Sequence, residues 1–156
     1  MPDWGKLAAN SFKIGVIGLQ FADTFLKTKA ASDLITSLIN ASPEEAGTWI
    51  LVNIPQMDED QWTGFANLLA TRARVDRYAQ ELYRFAHYVY NANANMQELL
   101  TQPVSEATDV IAGMFSSPDP GDQVVYSSLL ILYANANNMK AKSILGHLNR
   151  RGLLSG

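Results

Sequence analysis

If residues 73–90 form a helix, Arg74, Arg77, Glu81, Arg84 and Tyr88 fall on one arc, and Tyr78, Leu82, Phe85 and Val89 fall on the apolar arc opposite. A guanidinium grips carboxylates and phosphates through paired hydrogen bonds, and Arg and Tyr are frequent anchors of protein interfaces. The first arc is therefore a candidate partner-binding surface. The spacing also offers it an internal use. Arg77 and Glu81 are four apart and should pair, and Arg84 stands four before Tyr88, within stacking reach. On these residues alone three readings stay open: a self-paired solvated face, a protein contact and a nucleic-acid backbone contact.

Other chemistry is sparse. The 156 residues contain no cysteine and two histidines, His87 and His147. Cysteine nucleophiles, thiolate zinc sites and iron–sulfur clusters are thereby excluded, and multi-histidine metal sites nearly so. His87 lies between the two arcs and reads as a surface or capping histidine, ahead of a haem ligand or an acid–base catalyst. His147 precedes Arg150 and Arg151 near a helix end, where the dipole favours all three. Glu44, Glu45, Asp58, Glu59 and Asp60 sit at helix starts, where capping and the dipole already account for them. No Glu-x-x-His pair, P-loop or Gly-x-Ser-x-Gly elbow occurs. No catalytic, cofactor-binding or metal-binding residue is assigned, and the expectation is a protein without enzymatic activity. A small-ligand pocket between apolar helices is the rival from another class.

The elements that would carry these side chains are helical. Phe12 to Leu26 is apolar on most sides but carries Lys13, Gln20 and Asp23, too polar to span a bilayer. It reads as a central core helix, with Gly15 and Gly18 on its crowded side. No signal peptide or transmembrane segment is expected, which favours a soluble, cytoplasmic protein. A second helix spans 32–40. Ser42-Pro43-Glu44-Glu45 starts a third, with serine as cap and proline in first position, and it stops before Pro55. Asp58 to Gln61 offers another capping pattern. The periodic stretch 59–90 then changes phase. Trp62, Phe65, Leu68 and Leu69 point one way, and Val75, Ala79, Leu82, Ala86 and Val89 another, so a kink or short break is expected near Thr71 to Ala73.

Farther on, the asparagine-rich run 91–95 predicts a helix end, since asparagine favours turns. Met96 to Leu100 would be a short helix or turn. A helix opening near Pro103 should bury Val110, Ile111, Met114 and Phe115. Ser116 to Asp122, with two prolines and a glycine, reads as a loop. Val124 to Tyr133 is a buried helix by length, and Met139 to Leu148 a last one ending near Gly152.

Charge is segregated. The net charge is -3, which excludes a generally basic nucleic-acid binder. Segments 42–71 and 91–139 carry only acidic residues apart from the uncharged ones, while Arg72, Arg74, Arg77 and Arg84 dominate 72–90 and Lys140, Lys142, Arg150 and Arg151 fill the tail. Sliding the chain by 61 positions sets Glu45-Ala46 on Glu106-Ala107, Ile50 on Ile111, and Leu68-Leu69 on Leu129-Leu130. This allows a degenerate helix-loop-helix duplication, 42–70 and 103–131, although helical hairpins share such spacing by necessity and chance accounts for it more readily.

The fold expected is all-α: a single-domain bundle or short α-solenoid of about six or seven helices over 1–156, with the apolar N-terminal helix central. The function expected is a protein-interaction or self-assembly module using the Arg/Tyr face, its partner a protein, another copy included. The alternative is a coat or scaffold subunit of a helical assembly that touches nucleic-acid backbone through its arginines.

Overall fold

The computed structural model describes residues 30–115 and 120–153. The expected apolar helix at 12–26 lies outside the described residues, as does most of the loop expected at 116–122. The described chain is all-α, with seven α-helices, one 3-10 turn and no strand among the described residues. None of these helices is long and apolar enough to cross a membrane. The chain divides into two compact units, Met1–Tyr90 and Asn91–Gly156.

In the first unit, α1 spans Ala30–Asn40, α2 Pro43–Asn53 and α3 Glu59–Ala73, with a 3-10 turn at Ile54–Gln56 between the last two. Helix α1 packs on α2 and α3, burying Ile35 and Leu38. The start of α2 follows the expected chemistry: Ser42 is the N-cap, its side chain accepts from the Glu45 amide, and proline stands in the first turn, where no intrahelical donor is lost. Most of α2 is buried, so its apolar residues make no single stripe; Ile50, Leu51 and Val52 are all enclosed. Helix α3 opens with a complete capping box. The Gln61 amide donates to Asp58 Oδ1 at 2.7 Å, and the Asp58 amide donates to Gln61 Oε1 at 2.9 Å. Its buried face is Trp62, Phe65, Ala66 and Leu69.

The expected break is present. Helix α3 ends at Ala73, Arg74 and Val75 turn, and α4 runs from Arg77 to Leu99. Neither glycine nor proline is needed, because Asp76 starts the new helix: its Oδ1 accepts from the amides of Tyr78 at 2.8 Å and Ala79 at 3.1 Å. Val75, expected on the apolar face, instead sits in this turn and is 88% exposed.

Helix α4 corrects the expectation of a helix end at 91–95. It continues for 23 residues through the whole asparagine run. In the second unit Ala92, Asn93, Met96 and Leu99 are buried. The Tyr133 hydroxyl donates to Asn93 Oδ1 at 2.6 Å, and Asn95 Nδ2 donates to the Tyr126 hydroxyl at 3.2 Å. Side chains bonded to a neighbouring helix cannot compete for their own backbone, which removes the reason asparagine normally ends helices.

The rest of the second unit is α5 (Val104–Phe115), α6 (Pro120–Asn135) and α7 (Met139–Arg150), which pack pairwise on one another. Ile111 is buried, but Val110 is 43% exposed and Met114 and Phe115 are only half-buried. Pro120 already stands in the first turn of α6, so residues 120–122 of the expected loop are helical instead. The asparagine run at 135–138 does form a turn: Asn137 takes φ 67°, and Asn138 caps α7 by accepting from the Ala141 amide. Past the end of α7, Gly152 takes φ 71°, a conformation glycine adopts without penalty.

Candidate interaction surface

The five candidate side chains do not all share one helix. Arg74 lies in the turn after α3, and Arg77, Glu81, Arg84 and Tyr88 follow along α4 at spacings of four, three and four. Arg74, Arg77 and Arg84 are exposed, whereas Glu81 and Tyr88 are half-buried. Tyr88 has contacts of its own.

The Arg77–Glu81 pair expected from the spacing does not form. Among the described residues the ion pair present is Arg151–Asp109, at 2.9 Å. The half-buried Glu81 lies near Tyr78. Burial first, and then the Glu81 charge, push the Tyr78 phenol above its ordinary range. The Tyr78 hydroxyl is itself buried without a hydrogen-bond partner among the described residues. None of the three arginines is therefore neutralised by an ion pair within the described chain.

His87 is neither a free surface residue nor a cap. Its ring stands edge-on to Trp62 at 5.1 Å and to Tyr83 at 4.5 Å, and Trp62 stacks on Tyr90 at 4.3 Å with an interplanar angle of 6°. Trp62 also stands tilted against Phe65 at 6.3 Å, and Phe65 stacks on Trp49 at 5.5 Å. The signal for this row was the spacing of Tyr83, His87 and Tyr90 at four and three residues, which places three rings on one side of a helix. Such offset and edge-on ring contacts stabilise by about 0.5–1.5 kcal/mol each beyond area burial, so the row reads as packing. His147 lies in the last turn of α7, its Nδ1 2.9 Å from an Arg150 guanidinium nitrogen.

Among the described residues no group of three His, Cys, Asp or Glu side chains stands close enough to hold a metal ion. What the geometry offers is two uncompensated guanidiniums, Arg74 and Arg77, at the corner beside the exposed Val75 side chain, with a third, Arg84, about two turns along α4. No protein-family model, curated protein or solved structure matches the chain.

Proposed function

We propose that this protein is a non-enzymatic helical interaction and self-assembly module, and that its contact surface is the corner between α3 and α4 with Arg74, Arg77 and Arg84 as anchors. The observation that carries this reading is that all three guanidiniums are exposed and none has an ion pair among the described residues. An exposed salt bridge within the chain would gain little, about 0–1 kcal/mol. At a partner interface a fully hydrogen-bonded carboxylate offsets the desolvation cost, and Arg keeps its charge and bidentate geometry there. Glu81 and Tyr88 flank the arginines and set the polar edge of the contact.

The test is the double charge reversal Arg77→Glu with Arg84→Glu in the full chain, followed by sedimentation at several salt concentrations. The native protein is expected to associate at low salt and to dissociate as salt screens the contact; the variant is expected to remain monomeric. Identical sedimentation of the two proteins at every ionic strength would remove the reading. A purified protein whose ultraviolet spectrum reveals bound nucleic acid, lost in the variant, would transfer the arginines to phosphate contact instead.

A further inference from the structure

Helix α4 belongs to both compact units. Its residues 77–90 lie in the first and 91–99 in the second, because the chain divides after Tyr90. The crossing point is the least supported part of the helix. Before it, Ala79, Leu82, Phe85, Ala86 and Val89 are buried, and after it Met96 and Leu99 are buried. Between Val89 and Met96 the buried residues are Ala92 and Asn93, and neither removes much apolar area from water. Local preference weakens the same stretch. Asn91, Asn93 and Asn95 are poor helix formers, because a short amide side chain competes for the backbone. The later asparagine run shows where that competition leads: α6 stops at Asn135, Asn137 takes φ 67° and Asn138 caps the next helix.

Two hydrogen bonds to α6 oppose the same outcome at 91–95. The Tyr133 hydroxyl donates to Asn93 Oδ1 at 2.6 Å, and Asn95 Nδ2 donates to the Tyr126 hydroxyl at 3.2 Å. Tyr126 and Tyr133 are about two turns apart along α6, so one face of that helix engages both asparagines. Asn93 and Tyr126 are buried, each at one end of a bond, which limits the water that could take the partner's place.

We propose that residues 91–95 are a conformational switch within α4, and that Tyr126 and Tyr133 are its latch. With the latch closed, α4 runs unbroken to Leu99. With it open, the asparagines turn to their own backbone, α4 ends at Tyr90, and 91–99 becomes an irregular link between the units. Arg74, Arg77, Glu81, Arg84 and Tyr88 all precede the switch, so the proposed contact surface keeps its helix in both states. The switch stands or falls independently of the self-association proposed above.

Hydrogen exchange on the full-length chain, resolved by peptide, tests it. A helix ended at Tyr90 leaves the amides of 92–99 without their intrahelical acceptors. In Tyr126→Phe with Tyr133→Phe these amides are expected to exchange about tenfold faster, the effect of losing one or two such bonds. The amides of 81–90 and of α7 should keep their native rates. Tyr133→Phe alone, a milder change, is expected to give a smaller increase in the same peptides. Adding Asn91→Ala, Asn93→Ala and Asn95→Ala to the double variant is expected to return the rate toward native, since alanine does not compete for the backbone. Unchanged exchange at 92–99 in both tyrosine variants would remove the latch. Equal acceleration across 91–153 would mean that the second unit loosens as a whole, which overturns the switch. If the alanines restore nothing, the asparagines are not what opens the helix, and the proposal fails.

Discussion

Tyr133 and Asn93 carry the clearest energetic consequence of a single contact. The Asn93 side chain is buried, and its Oδ1 is satisfied by the Tyr133 hydroxyl. Burial raises the Tyr133 phenol above its ordinary value of 10.0, and the hydrogen bonds with Gln97 and Asn93 offset this only in part. Tyr78 is raised too, by burial and then by the Glu81 charge. The sign of the linkage follows. Above the unfolded-state value the unfolded chain loses these protons while the folded chain keeps them, so stability is full below it and falls as pH rises toward the folded-state values. Urea titrations are expected to give constant contributions from both groups between about pH 7 and pH 9 and a loss above about pH 10. In Tyr133→Phe that alkaline loss should be shallower. An equally steep loss in the variant would show that Tyr133 is not responsible.

Helix boundaries are set by short-range chemistry, and here it is strong. The reciprocal bonds of Asp58 and Gln61 satisfy two amide donors that α3 would otherwise leave open. Asp58→Ala is expected to cost about 1 kcal/mol in chemical denaturation, with the loss of protection from hydrogen exchange concentrated in the first turn of α3. The two asparagine runs show the limit of such local rules. At 135–138 the side chains serve a turn and a cap; at 91–95 the same residue type lies within a continuous helix. The difference is Tyr126 and Tyr133 on α6, whose hydroxyls engage Asn95 and Asn93.

For the molecule as a whole, the chain forms two compact units, each burying apolar residues of its own. Leu69 and Leu130, 61 positions apart, are both fully buried. Leu69→Ala and Leu130→Ala should each destabilise by about 2–5 kcal/mol, the range for removing a buried leucine side chain. Hydrogen exchange is expected to locate the first loss in 30–90 and the second in 91–151. A loss spread evenly over both units by each variant would argue against two separate cores. The net charge of -3 is modest, but it is segregated, with acidic residues at 44–60 and 98–122 and basic ones at 72–84 and 140–151, so an association driven by these charges is expected to weaken as salt rises.

Much of this architecture was legible one residue after another. The caps at Ser42 and Asp58, the proline opening α2 and the change of hydrophobic phase before Arg74 depend on neighbours within about one or two helical turns, so periodicity and side-chain chemistry reveal them. The arginines could be picked out for the same reason. Their lack of an ion pair could not, because spacing allowed an Arg77–Glu81 bond that the fold does not make. Nor could local patterns show that Val75 would be exposed, that His87 would pack among rings, or that α4 would continue through its asparagines. Those outcomes depend on partners remote in the chain: Tyr133 is 40 residues from Asn93, and Tyr126 is 31 from Asn95. Propensity is worth only tenths of a kcal/mol per residue, and a satisfied buried hydrogen bond outweighs it.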